Sequence, residues 1–143
     1  MTDKTHFFYL KHCHSLRDRT RLKSFLPIIF RTEGLDLNSL TYIFCSDKDL
    51  LEVNRTYLNH DYYTDIISFD LSERTGGIDG EIYISVDRVV ENAGKIGVSI
   101  KDEIHRVIFH GALHLCGYSD KTKSQMKEMR KKEDEYLEKY FGK

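Results

Sequence analysis

The sequence predicts an α+β fold: a mixed sheet of about four strands packed with helices, in a single domain spanning residues 1–143. Three observations predict it. Several stretches have the β-branched and aromatic content of strands. The segments between and after them carry apolar residues at helical spacing, and the two kinds occur in mixed order along the chain. A length of 143 residues suffices to bury roughly 68–70% of the surface that the unfolded form exposes.

HFFYL (6–10) reads as the first strand. Leu22, Phe25, Leu26, Ile29 and Phe30 then recur at helical spacing, and Pro27 among them is expected to kink or break the helix because it removes a backbone donor. NSLTYIFCS (38–46) is the second strand, alternating in places. Ser46 and Asp47 form a cap pair for a helix marked by Leu50, Leu51, Val53, Tyr57 and Leu58, which runs out near Asn59. IISFDL (66–71) and GEIYISV (80–86), separated by the turn-rich SERTGGID, read as two strands of a hairpin. Asp87 starts a helix through Lys95. Ser99 and Asp102 have capping-box spacing before EIHRVIFHGALHLC, whose apolar residues at 104, 107, 108, 112 and 115 form one buried stripe. Thr122 and Gln125 repeat that spacing before a last helix with Met126, Met129, Tyr136 and Tyr140 on its apolar face and lysine and glutamate on the other.

With 40% hydrophobic and 31% charged residues and a net charge of −1, the chain carries no global basic field, so any nucleic-acid affinity must come from local patches. No apolar run reaches the length of a membrane span, and the start, MTDKTHFFYL, lacks the extended apolar core of a secretory signal. The expected location is therefore the cytoplasm, with no membrane partner. Cys13, Cys45 and Cys116 form no CxxC pair and are odd in number, which fits reduced packing residues better than a disulfide frame.

HGALHLCGYSD (110–120) carries the chemistry. At 100° per residue, His110 and His114 share one side of the helix while Ile104, Val107, Ile108, Ala112 and Leu115 cluster on another. Gly117 is where a helix would end in a left-handed residue, turning the chain so that Asp120 returns to the histidine face. His110, His114 and Asp120 then supply three ligands and leave an open position, as in a catalytic zinc site with one zinc per chain. The metal site thus belongs on a helix and its following turn. A histidine pair four apart is usually incidental, but burying two imidazoles without partners is costly, and the glycine stop and the acid after it agree with ligation. The spacing also matches the metzincin pattern HExxHxxGxxH, with Gly111 in place of the general-base glutamate and Asp120 in place of the third histidine. Without that glutamate the peptidase mechanism lacks its proton acceptor. His105 falls outside the histidine face and is expected to be a surface or capping residue; Glu103, on that face two turns earlier, is expected to be an exposed acid, the alternative being a carboxylate that orients the ligands from behind.

HGALHLCGYSD is similar to the signature HGxLHLxGYDH of the YbeY-type rRNA-maturation endoribonucleases, except that Ser119 and Asp120 replace the final Asp-His pair. EVNRTYLNHDYYTDIISFD likewise resembles that family's LNxxYR…TDVLSF block, and GEIYIS its LGDIxI strand, so the likeness spans residues 50 to 120. The resemblance implies a cytoplasmic, zinc-dependent α+β endoribonuclease that cuts single-stranded RNA, matures the 3′ end of small-subunit (16S) rRNA, associates with small-subunit components and serves ribosome quality control. It implies His110, His114 and Asp120 as metal ligands, with His114 also catalytic.

The arginine that follows the tyrosine in the family block is Leu58 here. His60, two residues on, is the candidate catalytic substitute; the competing reading is a turn residue between Asn59 and Asp61. Thr64 and Asp65 either orient a ligand or substrate or cap a turn. HCH at 12–14 sits among lysine and arginine and reads as a solvated segment. Basic residues crowd the first helix (Lys11, Arg17, Arg19, Arg21, Lys23) and the last (Lys121, Lys123, Lys127, Arg130, Lys131, Lys132); they read as solvated faces unless both runs meet beside the metal. Two rivals remain: a zinc peptidase, and a non-enzymatic RNA- or ribosome-binding assembly factor with structural zinc.

Overall fold

The computed structural model describes residues 4–73 and 76–142; Arg74 and Thr75, inside the expected turn SERTGGID, lie outside the described residues. The elements run β1 (Thr5–Tyr9), α1 (Arg19–Thr32), β2 (Leu37–Cys45), α2 (Asp47–Leu58), β3 (Ile66–Asp70), β4 (Ile78–Ser85), α3 (Val86–Ile96), α4 (Ile100–Leu115) and α5 (Lys123–Phe141). The mixed four-stranded sheet has the order β1-β2-β4-β3, with β1, β2 and β4 parallel and β3 antiparallel to β4. The expected hairpin is therefore present, pairing Ile66 with Ile84 and Asp70 with Gly80.

Alternation along the strands divides the sheet into two faces. Leu40, Tyr42, Phe44, Ile82 and Ile84 join α1, α3, α4 and α5 in the main core. Ile67, with Cys45, Leu50 and the flanking Val53, Phe69 and Tyr83, forms a smaller cluster under α2 on the other side. Cys13 and Cys45 are buried packing residues.

Several expectations are corrected by this packing. Pro27 does not break α1, which runs through it; Leu26, Ile29 and Phe30 around it are fully buried, and that burial outweighs one missing backbone donor. Helix α4 buries most of its circumference rather than one stripe, because α1, α3 and α5 all pack on it along with the sheet. His105 is therefore no surface residue: it is 2% exposed, its ring stacks on Tyr140 at 5.5 Å, and its Nδ1 donates to the Lys101 carbonyl. Burial lowers its pKa and keeps it neutral. Met126 lies outside the apolar face of α5, where Met129, Glu133, Tyr136 and Tyr140 are the buried residues.

Helix α4 approaches the sheet closely at Gly111, where an added Cβ would stand 2.9 Å from both Ile66 Cδ1 and Ile82 Cδ1. The fully buried Tyr42 fixes the same stretch, its hydroxyl donating to the Ile108 carbonyl at 2.7 Å. Gly94, in α3, has nothing within 4 Å of such a Cβ. Gly94→Ala should thus stabilise by about 0.5–1 kcal/mol through helix propensity, whereas Gly111→Ala should destabilise by up to about 2 kcal/mol because overpacking exceeds that gain. Urea unfolding of both variants checks this: equal signs would mean that the contact at Gly111 relaxes freely.

Candidate metal centre

His110 and His114 stand one turn apart on the last part of α4, their ring centroids 4.5 Å apart. The helix stops as the sequence predicts. Gly117 takes a φ of 106°, the Tyr118 N–H donates to the Leu113 carbonyl at 3.1 Å, and the Gly117 N–H donates to the His114 carbonyl at 3.0 Å. That pair of bonds is the Schellman pattern, which turns the chain back across the helix end. Asp120 Oδ2 consequently lies 3.4 Å from His110 Nε2 and 3.4 Å from His114 Nε2. Ligand atoms of these three residues all fall within 4.8 Å of one another, the one such group of His, Cys, Asp or Glu side chains among the described residues. Cys13 and its neighbours in HCH do not form another, although the His12 and His14 rings meet at 4.4 Å.

The far nitrogens of both rings are occupied. His110 Nδ1 donates to Glu133 Oε2 at 2.7 Å, and His114 Nδ1 donates to the Tyr118 carbonyl at 2.9 Å. An imidazole that donates from Nδ1 in its neutral form keeps the lone pair on Nε2, so the partners fix the tautomer that ligates. Two nitrogen lone pairs and a carboxylate oxygen thus converge on one point. Three acceptors in that arrangement repel unless a proton or a cation lies among them, and the donor set is one that zinc takes.

Glu133 escaped sequence reading because it stands within a run of lysines and glutamates that reads as solvated. It is 5% exposed, and its other oxygen accepts from Arg106 Nη1 at 2.9 Å. Glu103 is likewise buried, at 6% exposure, rather than the exposed acid expected. Helix α5 crosses the polar face of α4 there; burial and the neighbouring Asp65 raise the Glu103 pKa, against the pull of Arg106 and Arg130. The turn has a support of its own. Glu33, at the end of α1, accepts from the Tyr118 hydroxyl at 2.6 Å and from the Tyr136 hydroxyl, with Lys132 Nζ at 3.8 Å. Burial alone would raise the Glu33 pKa, but these bonds and charges hold it below its usual value.

The three donors open onto a cleft of about 640 Å³ lined also by Thr64, Asp65, Ile66, Ser68, Asp70, Val107 and Leu115. None of its described lining residues is lysine or arginine. Burial raises the Asp65 pKa, opposed by backbone hydrogen bonds, His110 and Arg88. Neither Leu58 nor His60 is among the lining residues. Leu58 ends α2 and is 40% exposed, and His60 lies exposed on the following loop, Nδ1 3.0 Å from the Tyr62 hydroxyl. The basic residues of α1 are engaged elsewhere, Arg19 over Tyr9, Arg21 over Tyr140 and Lys23 over Phe7. The two basic runs do not meet at the cleft.

Glu133→Gln should weaken binding of a divalent metal ion by about 10–100-fold, the effect expected of an outer partner that orients a ligating histidine. Competition with a chelator measures it; unchanged affinity would reduce Glu133 to a partner of Arg106.

A family model described as Endoribonuclease YbeY matches residues 12–141. The endoribonuclease YbeY of Cytophaga hutchinsonii is 49% identical over 138 residues, 96% of each chain. That of Flavobacterium psychrophilum is 45% identical over 122 residues, 85% of this chain and 86% of its own. A solution structure of a Thermotoga maritima protein has a TM-score of 0.64 and 28% identity, covering 95% of this chain and 89% of that one. No described helix is long and apolar enough to cross a membrane. A chain matched by that family model over residues 12–141, and 49% identical to one such endoribonuclease over 96% of each chain, belongs to the endoribonuclease YbeY family.

Proposed function

We propose that the chain is a zinc-dependent endoribonuclease of the cytoplasm that cuts single-stranded RNA, in maturing the 3′ end of small-subunit rRNA, and that it works beside small-subunit components. His110, His114 and Asp120 hold one zinc per chain, and the residues form a single domain over 1–143. The convergence of two Nε2 lone pairs and Asp120 Oδ2, each ring locked from behind, carries this reading. Zinc at that point supplies a Lewis acid for a phosphoryl oxygen and lowers the pKa of water towards ~7.

The lining carboxylates Asp65, Asp70 and Asp120 would repel a phosphodiester, so the cleft suits RNA when a cation offsets them. Three protein ligands leave a position open to substrate, whereas a structural zinc is closed by four. This favours the enzyme over the assembly factor. The peptidase reading fails at Gly111: it has no carboxylate, it is not among the lining residues of the cleft, and a side chain there would run into Ile66 and Ile82. Thr64 and Asp65 face the cleft, where they orient substrate. His60 lies outside the cleft lining, on the loop that leads to Thr64, and would act on an RNA strand that extends past Thr64, as the basic group in place of the arginine that Leu58 replaces.

His114→Ala should lose metal and single-stranded RNA cleavage together, falling to the rate of chelator-treated protein, while casein stays uncut throughout. Full zinc occupancy in that variant would move the site off the helix. His60→Ala should lower the cleavage rate by about 100-fold with metal content intact; an unchanged rate would return His60 to the turn.

The pH dependence follows from His110. Burial lowers its pKa, but the Glu133 bond and the carboxylates of Glu133, Asp120 and Asp65 outweigh it and raise the net value. In metal-free protein the stabilisation from the protonated ring is complete below histidine's ordinary ~6.5 and is lost as pH rises through the raised value. Metal needs the neutral ring, so metal affinity should weaken as pH drops below that raised value, already above the ordinary histidine range. Chelator competition measured across that range checks it; an affinity that does not change with pH would contradict this.

A further inference from the structure

We infer that the loop between α2 and β3 is a stacking platform for the bases of single-stranded RNA, an inference that rests on the nuclease reading and adds to it a place for the nucleobases. Tyr62 and Tyr63 are 56% and 55% exposed, side by side in one loop. Single exposed aromatics are ordinary; adjacent ones on a fixed loop beside a cleft are not. Tyr62 stacks on His60 with ring centroids 5.2 Å apart and planes 23° from parallel, and the Arg88 guanidinium stands 5.3 Å from the Tyr63 ring centroid.

The loop is held in place from beneath. Asn54, 1% exposed, accepts from the His60 N–H through its carbonyl at 3.1 Å and donates from Nδ2 to the Tyr62 carbonyl at 2.9 Å. Asn59 takes a left-handed φ of 55° to turn the chain there. The aromatic rings are therefore presented on ordered backbone, which lowers the ordering cost of binding.

Position selects the occupant. Tyr62 precedes Thr64, a residue of the cleft, by two residues, so no more than about 7 Å of chain separates them. A strand whose phosphate lies at the metal donors has bases to place beside it, and base–aromatic stacking accepts any sequence. The cleft itself offers Ile66, Val107 and Leu115 but no tyrosine, phenylalanine or tryptophan among its described lining residues, and its two imidazoles are turned to the metal position. Bases of an unpaired strand are free to stack on such a ring, whereas bases inside a duplex are not. Preference for single strands then originates in the loop, and hydrolysis in the cleft.

The chain contains no tryptophan, so Tyr62→Trp installs a sole indole at the platform. Oligoadenylate should quench its fluorescence saturably, oligouridylate less, and an abasic oligonucleotide of equal length and charge not at all. Tyr62→Ala should weaken oligoadenylate binding roughly tenfold, the order of one base–aromatic stack, and Tyr62→Phe should not. Abasic affinity and zinc content should be unchanged in both. Quenching by abasic RNA, or full oligoadenylate affinity in Tyr62→Ala, overturns the platform and leaves the tyrosines to a protein partner. If the parent chain still cleaves RNA in that case, only the platform falls. If the metal-loaded parent neither binds nor cleaves any RNA, the nuclease reading falls with it.

Discussion

Helix α4 sits so close to strands β3 and β4 that a Cβ at position 111 would stand 2.9 Å from Ile66 Cδ1 and Ile82 Cδ1, and the Tyr42 hydroxyl bonds its backbone one turn earlier. With that face committed to the sheet, the geometry of a 3.6-residue turn leaves Val107, His110 and His114 beside β3, where Ser68 and Asp70 complete the opposite wall. The same seating sets where α4 ends, and so where Gly117 reverses the chain and delivers Asp120. A glycine that looks like the loss of a catalytic glutamate when read against metalloproteases is instead the packing residue that lets the metal helix dock.

The electrostatics of the site are arranged in two shells of opposite demand. Facing the cleft, acidic side chains gather without a lysine or arginine among the described lining residues. Behind it, Arg106 and Arg130 approach Glu133, and Lys132 approaches Glu33, at 2.9, 3.7 and 3.8 Å. Both carboxylates are thus paired on their outer side while they orient histidine and turn. The cleft itself is left wanting positive charge, and a metal ion and a proton on His110 are competing ways to provide it.

Much of this was legible in local sequence. Strand content, the Thr122–Gln125 capping box and the spacing His110, His114, Gly117, Asp120 each depend on residues within a few positions of one another, and each reappears in the structure. Sheet order, and what covers α4, were not, because they depend on which segments meet across the chain. His105 and Glu103 look like surface residues until α5 is laid over α4. Glu133 and Glu33, which support the metal donors, are one acid in a charged run and one acid at a helix end, with no local pattern to distinguish them from solvated neighbours. The family arginine's replacement by Leu58 was visible in sequence, but that Leu58 and His60 both lie outside the cleft lining was not.

The bond from the Tyr118 hydroxyl to Glu33 has a consequence in time. The donors at 110, 114 and 120 occupy one short segment and are synthesised together, yet the groups that aim them come from residue 33, near the beginning, and residue 133, near the end. A nascent chain that has reached Asp120 has made its ligands and the Tyr118 carbonyl that holds His114, but it lacks Glu133, which holds His110, and Tyr136, which shares Glu33 with Tyr118. Correct aim waits for contacts of long sequence separation, which form late and slowly. Two segments that are far apart in the chain, the end of α1 and helix α5, must therefore both be in place before the donor set between them is fully supported.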